Sequence, residues 1–329
     1  MHTDIDAAEL ELVRTSMRHL LASSTAAALP AALIEGGWGD LLAFDTAAAV
    51  GVLADEQGRA VVAAPVLDLV LLHGLGLPLD GTTAVVLPPS ARGDGGALAG
   101  GFAGVVDGTD VVIDGLLLAG HERSSHVLVA TAEGVFAVDV AALLTRPTGA
   151  ADPTLGLAAV SGLAPAGAPV ASAAAWRAAI ALGRRALAGE LVGLAAQMLA
   201  DTVPYVLQRE QYGRAIGSFQ TVKHRLADVH VAITAAGEGL ATAWVDGSEL
   251  SAVAALCLAA RAQQLAATHC HQVHGGIAFT TEHGFHRFIR RGQSITALLG
   301  HPDDLVRAIG TQLAATRAVP RTPQLTVTN

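Results

Sequence analysis

Two stretches of this chain carry side chains able to hold a phosphate. The first is Arg209-Glu210-Gln211-Tyr212-Gly213-Arg214-Ala215-Ile216-Gly217-Ser218-Phe219-Gln220, which joins a guanidinium to a carboxamide. The second, Gln272-Val273-His274-Gly275-Gly276-Ile277-Ala278-Phe279, joins another carboxamide to a glycine pair. Arginine is a fixed cation whose fork of donors matches phosphate oxygens, amides both donate and accept, and glycine lets a backbone come close to an anion. Each feature also has a plain structural use. Arg209 can close the preceding helix by meeting its terminal carbonyls, and Gly275-Gly276 can simply turn one helix into the next. Arg287, Arg290 and Arg291 follow on a short helix, where they either pair with charges across a subunit interface or meet a further phosphate.

Other constellations are less productive. The 13 histidines, crowded at His269, His271, His274, His283 and His286, invite a metal. Yet His269 and His271 fall on different helix faces and no carboxylate or thiolate set has ligand spacing, so no metal site is expected. The Gly-x-Ser-x-Gly elbow of a hydrolase is missing, and Ser124-Ser125-His126 reads as a turn entering a strand. Gly93 to Gly104 lacks the Gly-Lys-Ser/Thr ending of a phosphate loop and reads as a flexible hairpin or loop.

These residues need a scaffold, and the chain's 329 residues suffice for two or three packed units. Charged residues make up only 15% and mean hydropathy is +0.47, which implies helices buried between layers or between subunits. The net charge of -9, with no basic run, excludes a nucleic-acid partner. Met1 to Asp6 has no signal-peptide pattern, and the apolar stretch Ala60–Leu77 is cut by Pro65, Asp68 and His73, so neither secretion nor a membrane is expected. Cys257 and Cys270 lie in an apolar helical stretch and are expected reduced and buried, consistent with the cytoplasm.

Helical spacing governs residues 1–77, beginning at an Asp-rich start, broken at Gly36-Gly37-Trp38-Gly39 and resuming over Thr46–Gly58 and Val61–Leu77. Residues 78–170 have a β texture, with short runs at 83–87, 111–113, 126–130 and 135–138 separated by Gly, Pro and Asp. Helices return over 171–319, at 171–203, 219–244, 248–274 and 302–319, and their lengths suit a four-helix bundle. Pro204 is expected to kink or break the first of them, and Pro320 and Pro323 open a loose tail over 320–329.

The two opening segments, in this order with helices between them, resemble the acyl-CoA dehydrogenase family, in which Arg-x-x-(Phe/Tyr)-Gly…Phe-Gln and Gln-x-x-Gly-Gly lie in the C-terminal helical part. Ile34-Glu35-Gly36-Gly37-Trp38-Gly39-Asp40-Leu41-Leu42, Ala54-Asp55-Glu56-Gln57-Gly58-Arg59 and Ala151-Asp152-Pro153-Thr154 extend the resemblance over nearly the whole chain. It implies a mainly α fold: an N-terminal helical domain, a small central β domain and a C-terminal four-helix bundle. It implies FAD as cofactor, its ADP half held by Arg209, Phe219, Gln220, Gln272, Gly275 and Gly276. The implied activity is α,β-dehydrogenation of an acyl-CoA thioester, in which a carboxylate removes the α-proton.

That carboxylate is missing. Aligned on the family, Leu299 stands where most members carry the basic Glu, and Gly183 stands at the position other members use. Glu190 and Asp303 are either relocated bases or ordinary helix residues. Between residues 78 and 170 the family's Thr-Glu-Pro-x-Ala-Gly-Ser and Trp-Ile-Thr-Asn-like segments for the flavin ring are absent as well. Loss of the base and ring motifs, with the ADP-side motifs retained, resembles the short subunit of actinobacterial heteromeric dehydrogenases acting on steroid side-chain CoA thioesters. The resemblance thus implies an α2β2-like complex whose catalytic partner holds most of the acyl-CoA. A self-sufficient homomer with a relocated base and a flavin-free structural paralogue are the rival expectations.

Overall fold

The computed structural model describes residues 5–25, 28–62, 66–89 and 101–317; the glycine-rich stretch before 101, and the tail from 318 with its two prolines, lie outside them. The chain opens on α1 (Ala7–Ser23), α2 (Leu29–Glu35), α3 (Trp38–Phe44), α4 (Thr46–Ala60) and α5 (Val66–Leu75). Asp6 accepts from the backbone N–H groups of Ala8 and Glu9, and Glu9 accepts from that of Asp6, so the acidic start is a capping box. The break expected over Gly36–Gly39 is confined to the two leading glycines, because Trp38 already starts α3 and is buried. Val61, expected to open a helix, instead ends α4 in the left-handed region at φ 50°.

The strands form two sheets. In the first, β1 (Ala84–Val86) pairs parallel with β4 (His126–Ala130), which pairs antiparallel with β5 (Val135–Asp139). In the second, β2 (Gly104–Asp107), β3 (Asp110–Leu117), β7 (Ala158–Pro165) and β6 (Leu143–Pro147) lie side by side in that order, all antiparallel. Val86, Val111, Ile113, Val129, Phe136 and Val160 fill the space they enclose. Strands β2, β6 and β7 escaped the sequence reading for a physical reason: β6 is largely exposed, and β7 is built from Ala, Ser and Gly with little β preference.

The rest is helical: α6 (Ala173–Gln208), α7 (Gln220–Asp246), α8 (Glu249–His274), α9 (Phe285–Ile295) and α10 (Pro302–Thr316), with a minimal hairpin, β8 (Glu210–Gln211) and β9 (Arg214–Ala215), between α6 and α7. Pro204 does not break α6, which continues to Gln208. It sits in the last turns, where losing one N–H leaves few following bonds to disturb. By length and composition α6 and α8 could each cross a bilayer, but both are central helices of the bundle, about half buried. Arg185 closes α7 by donating to Ala243 O at 2.9 Å and to Ser248 O at 3.0 Å. Cys270 is buried as expected, Cys257 only half-buried; both are free thiols that burial pushes up to about 11.

The N-terminal helices are fastened to the bundle where α4 crosses α6. A Cβ on Gly58 would overlap Glu190 O, and one on Gly193 would overlap Asp55 O, so the two backbones touch directly. Arg14 of α1 bridges Asp55 and Glu56 at 2.6 and 3.1 Å, and Arg18 also holds Glu56. The Asp-Glu-Gln-Gly-Arg run is therefore a packing and ion-pairing motif.

Candidate functional site

The antiparallel course of α6, α7 and α8 gathers the end of α6, the start of α7 and the end of α8 at one pole of the bundle. The Tyr205 ring of α6 stacks on that of His274 in α8 with centroids 4.3 Å apart, which ties two of these ends together. Arg209 is the cap residue of α6, but its backbone N–H makes the cap, donating to Tyr205 O at 2.9 Å. Its guanidinium is exposed and has no ion-pair or hydrogen-bond partner among the described residues. The capping use of that side chain is thus not what the fold adopts.

The hairpin turns through Tyr212 and Gly213, both with positive φ, and brings Arg214 over the ring of Phe219 at 4.1 Å, with Tyr212 at the ring edge. Phe219, half-buried, precedes α7, and Gln220, its first residue, is exposed. Gln272 is exposed on the last turn of α8. Gly275 follows at φ 67° and ψ -144°, a combination essentially reserved for glycine. A Cβ on Gly275 or Gly276 would meet nothing within 4 Å, so the turn faces open space as well as ending the helix. An exposed guanidinium, two exposed amides and an accessible glycine turn suit the diphosphate and ribose of an ADP moiety.

The two positions expected to hold a base meet each other. A Cβ on Gly183 of α6 would lie 2.8 Å from Leu299 Cδ1, 3.1 Å from Leu71 and 3.3 Å from Leu67, and Leu299 is only 1% exposed. Buried Arg184 donates from Nε to Leu299 O at 3.0 Å, pinning this turn against α6. Glycine and a buried leucine thus occupy both positions, with no carboxylate between them. Of the relocated candidates, Asp303 is exposed on the first turn of α10. Glu190 is buried and committed: Arg291 Nε donates to it at 2.6 Å and Gln57 Nε2 at 3.4 Å. The cavity beside it measures ≈ 30 Å³, room for about one water molecule.

Arg291 answers to neither reading offered by sequence. It is 1% exposed, pairs with Glu190 and, at 3.5 Å, with Asp152, and donates to Val62 O at 3.1 Å. It thereby joins α6, α9, the end of α4 and the turn before β7 within one chain. Arg287 donates to Val61 O at 3.4 Å and Arg290 is exposed. Among the described residues no group of three or more His, Cys, Asp or Glu could hold a metal. Sequence reasoning missed the anchoring of the glycine turn by Thr202 and Tyr205. Its only trace was a histidine, His274, at the end of an apolar helix.

Comparison with known proteins bears on this arrangement. Residues 173–314 match the family described as acyl-CoA dehydrogenase, C-terminal domain. Acyl-CoA dehydrogenase IpdE2 of Mycobacterium tuberculosis is 39% identical over 127 residues, 39% of this chain and 40% of that protein. Acyl-CoA dehydrogenase FadE34 of the same organism is 40% identical over 121 residues, 35% of this chain and 17% of that protein. The matched segment thus spans at most two fifths of these curated relatives. Among solved structures, a Tcur3481-Tcur3483 steroid ACAD variant superposes with a TM-score of 0.79 at 25% identity, covering 95% of this chain and 99% of that one. The ChsE4-ChsE5 complex from Mycobacterium tuberculosis gives 0.71 at 20% identity, covering 98% and 91%. The architecture is the acyl-CoA dehydrogenase fold, helices around a small β part. Residues 173–314 are thus similar in sequence to the C-terminal domain of acyl-CoA dehydrogenases.

Proposed function

We propose that this chain is the subunit without a base in a heteromeric, FAD-dependent acyl-CoA dehydrogenase of the cytoplasm. It contributes the ADP side of the FAD site, while a partner chain supplies the carboxylate and holds most of the acyl-CoA. The observation that carries this reading is the filled base position, where Gly183 and Leu299 pack together without a carboxylate. Removing a proton from carbon at neutral pH needs a positioned base. Glu190, held by Arg291, serves as a structural anion, and Asp303 projects into solvent.

Arg209 offers its guanidinium to the diphosphate, Gln220 and Gln272 offer amides to phosphate, ribose or adenine, and the backbone at Gly275 and Gly276 admits close approach. Phe219, gripped by Arg214, fixes the start of α7 beside them. FAD, when bound, supplies the acceptor for the β-hydride. Apolar side chains crowd the same pole in the open: Val203 at 42%, Leu207 at 66% and Ile277 at 49% exposure, with the Tyr212 ring at 93%. A second polypeptide covering that patch would enclose the cofactor and bury apolar surface together. An α2β2-like assembly and steroid side-chain CoA thioesters are the finer reading. It is supported by the two-component make-up of the similar Tcur3481-Tcur3483 steroid ACAD and ChsE4-ChsE5 complex.

The test is to co-purify the chain with the product of the adjacent gene and record an absorption spectrum. Stoichiometric flavin in the complex and little on the lone chain is the expected result. Turnover of an acyl-CoA by the lone chain with an artificial electron acceptor refutes the division of labour. An Arg209→Ala complex that keeps all its flavin refutes the assigned ADP contact and favours a purely structural subunit.

A further inference from the structure

The residue just before the glycine turn is held more elaborately than helix ending requires. His274 is 5% exposed, and its Nε2 lies 3.1 Å from Thr202 Oγ1. That hydroxyl, which also meets the Cys270 thiol, has a single proton, and with Met198 O at 2.6 Å taking it the oxygen accepts from the imidazole. The proton between them must therefore sit on Nε2, and Nδ1 must carry a bare lone pair. Consistent with this, Nδ1 is buried without a hydrogen-bond partner.

The rest of the residue is also clamped. The ring stacks on Tyr205, takes the His283 ring edge-on at 4.5 Å and touches Phe285 at 4.9 Å. The Tyr205 hydroxyl donates to the backbone carbonyl of His274 at 3.4 Å. Ring and carbonyl are thus both gripped by α6, immediately before the positive-φ Gly275. A phenylalanine would pack among these rings without burying two nitrogens, a burial that carries a desolvation cost. The polar ring is therefore kept for its direction.

We propose that His274, locked by Thr202 as the Nε2–H tautomer, is the positioning residue that aims the Gly275–Gly276 backbone at the cofactor diphosphate; this rests on the reading of that turn given above. The titratable neighbours facing the ring are Tyr205 from α6, His271 from its own helix and His283 from the short turn before α9. Burial, with His283 and His271, brings the imidazole down to about 4, so the neutral tautomer persists across the physiological range.

The experiment has two arms on the full-length chain. Imidazole 15N spectra of the chain alone should show one ring that stays neutral and Nε2-protonated from pH 8 to pH 5 in wild type and Thr202→Ser, but not in Thr202→Val. In the flavin-loaded complex, Thr202→Val and His274→Phe should each raise the Kd for FAD about tenfold, equivalent to ~1.4 kcal/mol. Thr202→Ser should restore it to within about twofold. Unchanged FAD affinity in Thr202→Val and His274→Phe overturns this inference alone, as does an Nδ1–H tautomer in the wild type. A wild-type complex devoid of flavin overturns both this and the function it rests on.

Discussion

Asp68 offers the sharpest test of the energetics. It sits in the first turn of α5, and its carboxylate accepts from Val85 N at 3.3 Å, tying that helix to β1. Its side chain is buried, and no salt bridge reaches it among the described residues. Burial pushes its carboxyl from 3.8 up to about 7, opposed only by the Val85 bond. The folded chain thus keeps a proton that the unfolded chain releases, so stability falls as pH rises from about 4 to about 7 and is flat above. At ~1.4 kcal/mol per unit, burying Asp68 costs at most about 4 kcal/mol at pH 8, but only about 1–2 kcal/mol at pH 5. Asp68→Asn keeps the acceptor for Val85 and removes the charge, at about 1 kcal/mol for an amide lacking a partner. Urea unfolding should show the variant near parity with wild type at pH 5 and more stable by about 2–3 kcal/mol at pH 8. A difference that does not change between these pH values would refute the reasoning, because it would mean that a cation holds Asp68 ionised.

Three further outcomes are expected. Arg291→Met strands Glu190 and Asp152 in the interior and should cost about 3–5 kcal/mol in chemical denaturation, part of which Glu190→Gln recovers in the double variant. Gly183→Ala should lose about 1–3 kcal/mol through the clash with Leu299, and combination with Leu299→Ala should lose less than the two single effects summed. His274 is depressed from 6.5 to about 4, so its contribution is complete above pH 6.5 and is lost as pH falls towards 4. Thermal melts of His274→Phe should accordingly decline less steeply than wild type between pH 6.5 and pH 4.5.

Sequence made the helices legible wherever apolar spacing and a cap coincide. Asp6 with Glu9 marks the start of α1, and Ser248, accepting from Ser251 N, marks that of α8. It failed at β6 and β7, whose pairing comes from register, β7 on β3 and β6 on β7, and from no alternation of their own. It also failed at Pro204, where a breaker near a helix end has little left to break. The candidate site was reached through motif resemblance, since isolated Arg, Gln and Gly residues have too many ordinary uses. Arg291 could not be told from its exposed neighbour Arg290, because burial of one and not the other depends on Glu190 and Asp152 from distant parts of the chain. His274 was opaque likewise, since its meaning lies in a hydroxyl on another helix.

The bare crossing of α4 over α6 at Gly58 and Gly193 has a mechanical consequence. Main chains in contact leave no compressible side-chain layer between them, so neither helix can slide or tilt without losing the fit outright. The amino-terminal helices are thereby keyed to the bundle at α4, a joint that resists the swing of a lid; in the assembly proposed above, an opening that admits a cofactor would lie between the chains.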